Sequence, residues 1–122
     1  MIKSVKRAIY LTQKISMIQK AFKLEDHIEV TILHRIALYD ASDEQIAVTQ
    51  VIHWTDIGST ATVHGRLTRL IARRLLSVSK CPDDKRLRFV QLSPSSLQYF
   101  KEIGEALASS EKNAFERGLL VR

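Results

Sequence analysis

The sequence predicts a mainly α fold with a small β-hairpin wing, in the order of a winged helix-turn-helix, and three observations carry that expectation. Apolar residues recur at three- to four-residue steps over most of the chain. A Thr-Asp-Ile-Gly break at 55–58 separates two helical stretches. Directly after the second stretch, two runs with strand-like alternation flank a Cys-Pro-Asp-Asp-Lys-Arg tip. Two helices joined by a short turn and followed at once by a hairpin define the arrangement. With 122 residues, 45% hydrophobic and 26% charged, a single domain over 1–122 with one modest core is expected.

The first element is a helix over 3–22, on which Val5, Ala8, Ile9, Ile15, Ile18 and Phe22 make an apolar stripe between charged positions. A second pattern starts after Leu24. Glu25 and Asp26 place negative charge in its first turn, and Ile28, Ile32, Ile36 and Tyr39 mark its buried side as far as Asp40. Ser42, or the residue after it, caps a third, short helix that runs to Trp54, with Gln45 as the capping-box partner. At the break, Gly58 is able to take the left-handed conformation. Ser59 caps the fourth helix, 60 to about 75, whose buried face is Val63, Leu67, Leu70, Ile71 and Leu75. The helix-turn-helix thus spans 43–76.

Strands at 76–80 and 87–92 form the wing, 76–93. Ser93 and Pro94 open the last helix, 95–117, because a proline in the first turn lacks only an N–H that has no helical partner there. Leu97, Phe100, Ile103, Leu107 and Phe115 give that helix an apolar edge.

The charge is unevenly placed. Nineteen Lys and Arg against 13 Asp and Glu leave +6, and the segment 64–88 alone carries that whole excess: Arg66, Arg69, Arg73, Arg74, Lys80, Lys85, Arg86 and Arg88 against Asp83 and Asp84. Such a balance directs attention to an anionic partner. Other classes lack their signals. A single cysteine, Cys81, excludes an intrachain disulfide framework and a Cys-cluster zinc site. Its neighbours Lys80 and Arg86 favour a thiolate, but the chain has no second cysteine to resolve an oxidised one. His27 and His34 stand two helical turns apart, too far to share an ion unaided, and His53 and His64 add no ligand spacing, so no metal and no cofactor are expected. There is no Gly-rich phosphate loop, no G-x-S-x-G and no partnered carboxylate pair, so the chain reads as a non-enzyme. No run of 18 apolar residues occurs and residues 1–22 lack a cleavable apolar leader, which leads us to expect a cytoplasmic protein with no membrane partner.

If Val63, Leu67, Leu70 and Ile71 face the core, Thr62, Arg66, Arg69 and Arg73 fall on a separate stripe at steps of four, three and four. A major groove admits a helix, and arginine donates two hydrogen bonds to guanine there. Ser59, Thr60 and the free N–H groups of the first turn suit a backbone phosphate, and His64 lies beside the stripe. Taken alone, such a face is as compatible with plain solvation. The hairpin tips the balance, because Lys80, Lys85, Arg86 and Arg88 crowd nine residues, and a wing tip of this kind inserts Arg into the narrow, electronegative minor groove. No aromatic row at stacking spacing points to single strands or RNA, so double-stranded DNA is the expected partner.

Asp84-Lys85-Arg86 followed by Leu92-Ser93 reads D-x-R-x5-L-S, which resembles the wing signature of the MarR (multiple antibiotic resistance regulator) family, whose usual form ends L-T. Ser59-Thr60-Ala61-Thr62-Val63 and Arg66-Leu67-Thr68-Arg69-Leu70 are similar to that family's recognition helix. The resemblance covers roughly 24–100. It implies a MarR-like winged helix, a wing Arg86 that enters the minor groove, and an Asp84 that holds it. It further implies a bacterial-type transcriptional regulator whose terminal helices build a homodimer, and a small-molecule effector that the residues do not specify. The family usually has Gly where this chain has Arg74. Fold alone does not choose a use. The alternative function is a winged helix protein-interaction module whose basic face meets an acidic partner.

Overall fold

The computed structural model describes residues 2–24 and 26–116, with side chains to Ser110. Glu25 and the side chain of Phe115, both invoked above, lie outside the described residues. The elements are α1 (Lys3–Ala21), α2 (His27–Ala41), β1 (Ile46–Ala47), α3 (Val48–Val51), α4 (Thr60–Ala72), β2 (Leu76–Lys80), β3 (Arg88–Leu92) and α5 (Pro94–Glu116). Composition suggests one core, whereas the chain gathers into two compact units: Leu24–Leu97, and the segments on either side of it.

Within Leu24–Leu97, Asp26 is the cap of α2 rather than a first-turn charge. Its Oδ1 accepts from the N–H groups of Ile28, at 2.7 Å, and Glu29, at 3.4 Å. Ile32, Leu33 and Ile36 of α2 are fully buried, as are Val51, Val63, Leu67, Leu70, Leu76 and Val90 from the other elements. Burying each such side chain stabilises the fold by about 1.5–3 kcal/mol before entropy is counted. One charged residue joins them: Glu29 is 1% exposed.

The third helix differs from its expected form. Residues 43–45 are not helical, and the helix begins at Val48 instead of at the Ser42 cap. The reason is how α2 ends. Asp43 takes a left-handed φ of 55°, its N–H bonding to Asp40 O while the Glu44 N–H bonds to Tyr39 O, which turns the chain outward and extended. Ile46 and Ala47 then pair antiparallel with Val90 and Phe89, adding a third strand to the hairpin. The capping glutamine is Gln50, whose Oε1 accepts from the Ala47 N–H at 2.8 Å, and not Gln45.

After α3 the turn at 55–58 forms where expected, but Gly58 is not left-handed. A Cβ there would make ordinary contact with Thr62 and Ile28, at 3.6 and 3.7 Å. Lys23, Asp43 and Arg74 hold the positive φ values instead, each just beyond the end of a helix. At Arg74, with φ 61°, the N–H bonds to Ile71 O and the Leu75 N–H to Leu70 O, both at 3.0 Å, so α4 stops at Ala72 rather than at 75. Leu75 is buried all the same. The sheet order is β1-β3-β2, with the wing register running from Leu76↔Leu92 to Lys80↔Arg88.

In the other unit, Ile18 and Tyr10 of α1 are buried, while Val5 and Ile9 of the expected stripe are exposed. Among the described side chains of α5, Ser96, Tyr99, Ala106 and Ser110 are buried, whereas Leu97 and Leu107 of its expected apolar edge are exposed. Tyr99 accepts from Gln19 Nε2 at 3.2 Å, and Phe22 meets its ring edge-on at 5.4 Å. Among the described residues no helix is long and apolar enough to cross a membrane.

Candidate nucleic-acid interface

The start of α4 is fixed by hydroxyls. Ser59 has an extended backbone, and its Oγ accepts from the Thr62 N–H at 3.2 Å and donates to Thr62 Oγ1 at 2.9 Å. Thr60 and Ala61 follow, both exposed. Val63, Leu67 and Leu70 are buried as the apolar spacing requires, which places the row of Thr62, Arg66, Arg69 and Arg73 along one flank of the helix.

That row faces α2. Arg66 Nε donates to Asp26 Oδ2 at 2.7 Å. Arg69 Nη2 lies 3.2 Å from Glu29 Oε1, and Arg73 Nη2 donates to Glu29 Oε2. Arg66 and Arg73 are about one-third exposed, at 31% and 30%, while Arg69 keeps 54% of its side chain in solvent. Burial would raise the Asp26 carboxyl, but the two cap N–H groups and the Arg66 guanidinium outweigh it and hold the group below the usual carboxylate range. Asp26 caps α2 and Glu29 stands in its first turn, and charge spacing alone does not single out Glu29 as functional. Its signal was available: Glu29 stands at spacings of three, four and seven from Ile32, Leu33 and Ile36, a carboxylate in a core position of an amphipathic helix.

The side of α4 that points to solvent carries Ala61, His64, Thr68 and Ala72, with Arg69 at its border. A Cβ on Gly65 would meet nothing within 4 Å. Thr68, which the sequence gives no role of its own, is exposed and donates its hydroxyl to His64 O at 2.9 Å. A further ion pair locks the turn before α4: Arg35 Nη1 donates to Asp56 Oδ1 at 3.1 Å, its Nη2 pairs with Asp56 Oδ2, and its guanidinium lies 5.3 Å from the centre of the Trp54 ring. The hydrogen bond to Asp56 raises the Arg35 pKa, and the same contact lowers that of Asp56.

The wing is built differently. Asp84 Oδ1 accepts from the backbone N–H of Arg86 at 3.0 Å, Asp84 O accepts from the Leu87 N–H at 3.1 Å, and Leu87 O accepts from the Cys81 N–H at 3.0 Å. The aspartate therefore shapes the tip through the main chain. Lys80, Lys85, Arg86 and Arg88 are all exposed, and among the described residues no carboxylate pairs with them. Cys81 is a half-buried free thiol beside them. At the root of the wing, Leu92 N–H donates to Asp40 Oδ2 at 2.8 Å and Ser93 Oγ donates to Arg74 O at 2.6 Å, so the final Leu-Ser of the motif ties β3 to α2 and to the end of α4. Among the described residues no group of three His, Cys, Asp or Glu side chains gathers at metal-binding distance.

No family model and no curated protein matches the chain. Solved structures do. MepR of S. aureus in complex with DNA superposes with a TM-score of 0.70 at 13% identity, over 90% of this chain and 78% of that one. The transcriptional regulator Tm0710 of Thermotoga maritima gives 0.63 at 15%, over 90% and 70%. A MarR mutant from E. coli complexed with operator DNA gives 0.55 at 14%, over 97% and 76%. At these identities the likeness establishes the fold, which is the MarR-like winged helix.

Proposed function

We propose that this chain is a sequence-specific double-stranded DNA-binding transcriptional regulator, with α4 in the major groove and the wing, led by Arg86, at the minor groove. The observation that carries the reading is the succession of the two features within one compact unit. A helix with an exposed hydroxyl-bearing start and an exposed Arg69 passes through a three-residue turn into a hairpin whose four cations are all in solvent. Two of the similar structures hold DNA, which supports the same partner here. Ser59 and Thr60 stand at the end of α4 where free N–H groups favour a phosphate, while Lys85 and Arg88 flank the tip as backbone contacts.

A two-fold dimer completes the reading. Ile2 just ahead of α1, Val5, Ile9 and Met17 of α1 and Leu107 of α5 are exposed, apolar surface that a second copy would cover. Such a dimer presents two copies of α4 to half-sites about one helical turn apart. The cytoplasm is where it would meet its DNA, and regulation rather than chemistry is its role.

The test is binding to a duplex at several salt concentrations, read by mobility shift or anisotropy. If each protomer neutralises roughly three to five phosphates, log affinity falls with log salt at a slope of about −5 to −9 for the dimer. A slope near zero would overturn the proposal.

A further inference from the structure

We propose that Asp26 and Glu29 are positioning residues for sequence discrimination: the two acids of α2 brace the arginine row of α4 so that Arg69 is presented to a base edge while Arg66 and Arg73 are held as its supports. This rests on the DNA-binding reading above.

Simple electrostatics makes these acids a puzzle. A carboxylate beside a DNA-binding helix opposes the phosphates and cancels cations that binding needs. Glu29 is also buried among apolar neighbours, a position in which an uncompensated charge is strongly unfavourable. Its compensation is the pair Arg69 and Arg73, one on each carboxylate oxygen. Buried ion pairs contribute little to stability compared with an apolar replacement, and their best-attested use is to fix a geometry.

The geometry fixed here is that of long side chains. A free arginine has many rotamers, and ordering them when DNA arrives weakens binding. A phosphate tolerates that looseness, because it is met by charge from many directions. A guanine edge demands two parallel hydrogen bonds from one planar guanidinium. Arg69 combines the two properties that base reading needs: it is more than half exposed, and one nitrogen lies 3.2 Å from an oxygen of a carboxylate buried in the core, an ion pair that restrains it without the aligned hydrogen bond that would occupy it. Arg66 and Arg73 are more deeply placed and directly hydrogen-bonded, which suits them to hold the flank.

The experiment compares the wild-type chain with Asp26→Asn and Glu29→Gln. A preferred duplex selected from a random pool is titrated beside a random-sequence duplex, with the thermal midpoint of each protein recorded. Asparagine caps a helix as well as aspartate, so Asp26→Asn keeps the start of α2 and guards against a folding failure in the buried variant. The expected result is a fall of about tenfold in the ratio of preferred to random affinity, the loss of one well-aligned contact. Random-duplex affinity stays level or rises, since each variant loses one negative charge. Affinities that rise together in both variants would make the acids mere repulsion, and affinities that fall together with the thermal midpoint would make them mere scaffolding; either outcome overturns the inference. Absence of salt-dependent duplex binding by the wild-type chain would instead overturn the DNA-binding reading, and this inference with it.

Discussion

On α4, Arg66, Arg69 and Arg73 each meet a carboxylate of α2, whereas on the wing Lys80, Lys85, Arg86 and Arg88 stand in solvent with no carboxylate partner among the described residues. The helix spends part of its cationic charge on internal order. The wing keeps its full charge and orders only its backbone, through Asp84. Under the proposed function, the side chains to be aimed are the ones paired with carboxylates, and those that need only reach a polyanion are the ones left exposed. Stability and binding should therefore separate between the two regions.

The largest effect expected is on the helix side. Glu29→Ala leaves Arg69 and Arg73 without their shared acid and should lower unfolding stability in urea by about 2–3 kcal/mol, less than a wholly buried pair because both arginines reach water. An unchanged denaturation midpoint would dissolve the contrast. On the wing the effect moves to binding: Arg86→Ala should weaken all duplexes alike by about 1–2 kcal/mol and make the dimer's salt slope shallower by about two, one for each protomer, with no change in thermal midpoint. A selective loss on one sequence would instead place Arg86 among base readers.

Between the regions, Arg74→Gly should stabilise the chain by about 0.5–1 kcal/mol, since a side chain at φ 61° is strained and glycine is not; Arg74→Ala serves as the control that should show no such gain. The smallest effect is on pH dependence. The Asp26 carboxyl titrates below its ordinary 3.8 in the folded chain, so its stabilisation is complete above that value and is lost as pH falls through the lower folded one. Wild type should be more stable than Asp26→Asn by a constant margin above about pH 5, and the two should converge as pH falls below about 4. A margin that changes with pH near neutrality would point to another group.

What the sequence made legible follows from periodicity. Val63, Leu67 and Leu70 announce α4 because helical spacing places them on one side, and the alternation at 76–80 announces β2. β1 was hidden because two residues carry no period, and Ile46 and Ala47 are strand only by virtue of a partner more than forty positions away. Gly58 misled for a related reason: glycine permits a left-handed turn but does not require one, and Lys23, Asp43 and Arg74 took that role where helix ends demanded it. At the candidate site, spacing gave the row of arginines but not what they face. Asp26 and Glu29 lie forty residues or more upstream of Arg66, Arg69 and Arg73, and no local pattern brings them together. The apolar face of α1 is legible as a stripe, while the exposure of Val5, Ile9 and Met17 on it is not.

The bond from Ser93 Oγ to the carbonyl of Arg74 closes the base of the hairpin, just before β2 begins and just after β3 ends. A lever pinned at its fulcrum transmits motion without slack. Under the proposed function, a tilt of α4 carries the root of the wing with it through this bond, so helix and hairpin meet a duplex with their spacing tied at that point.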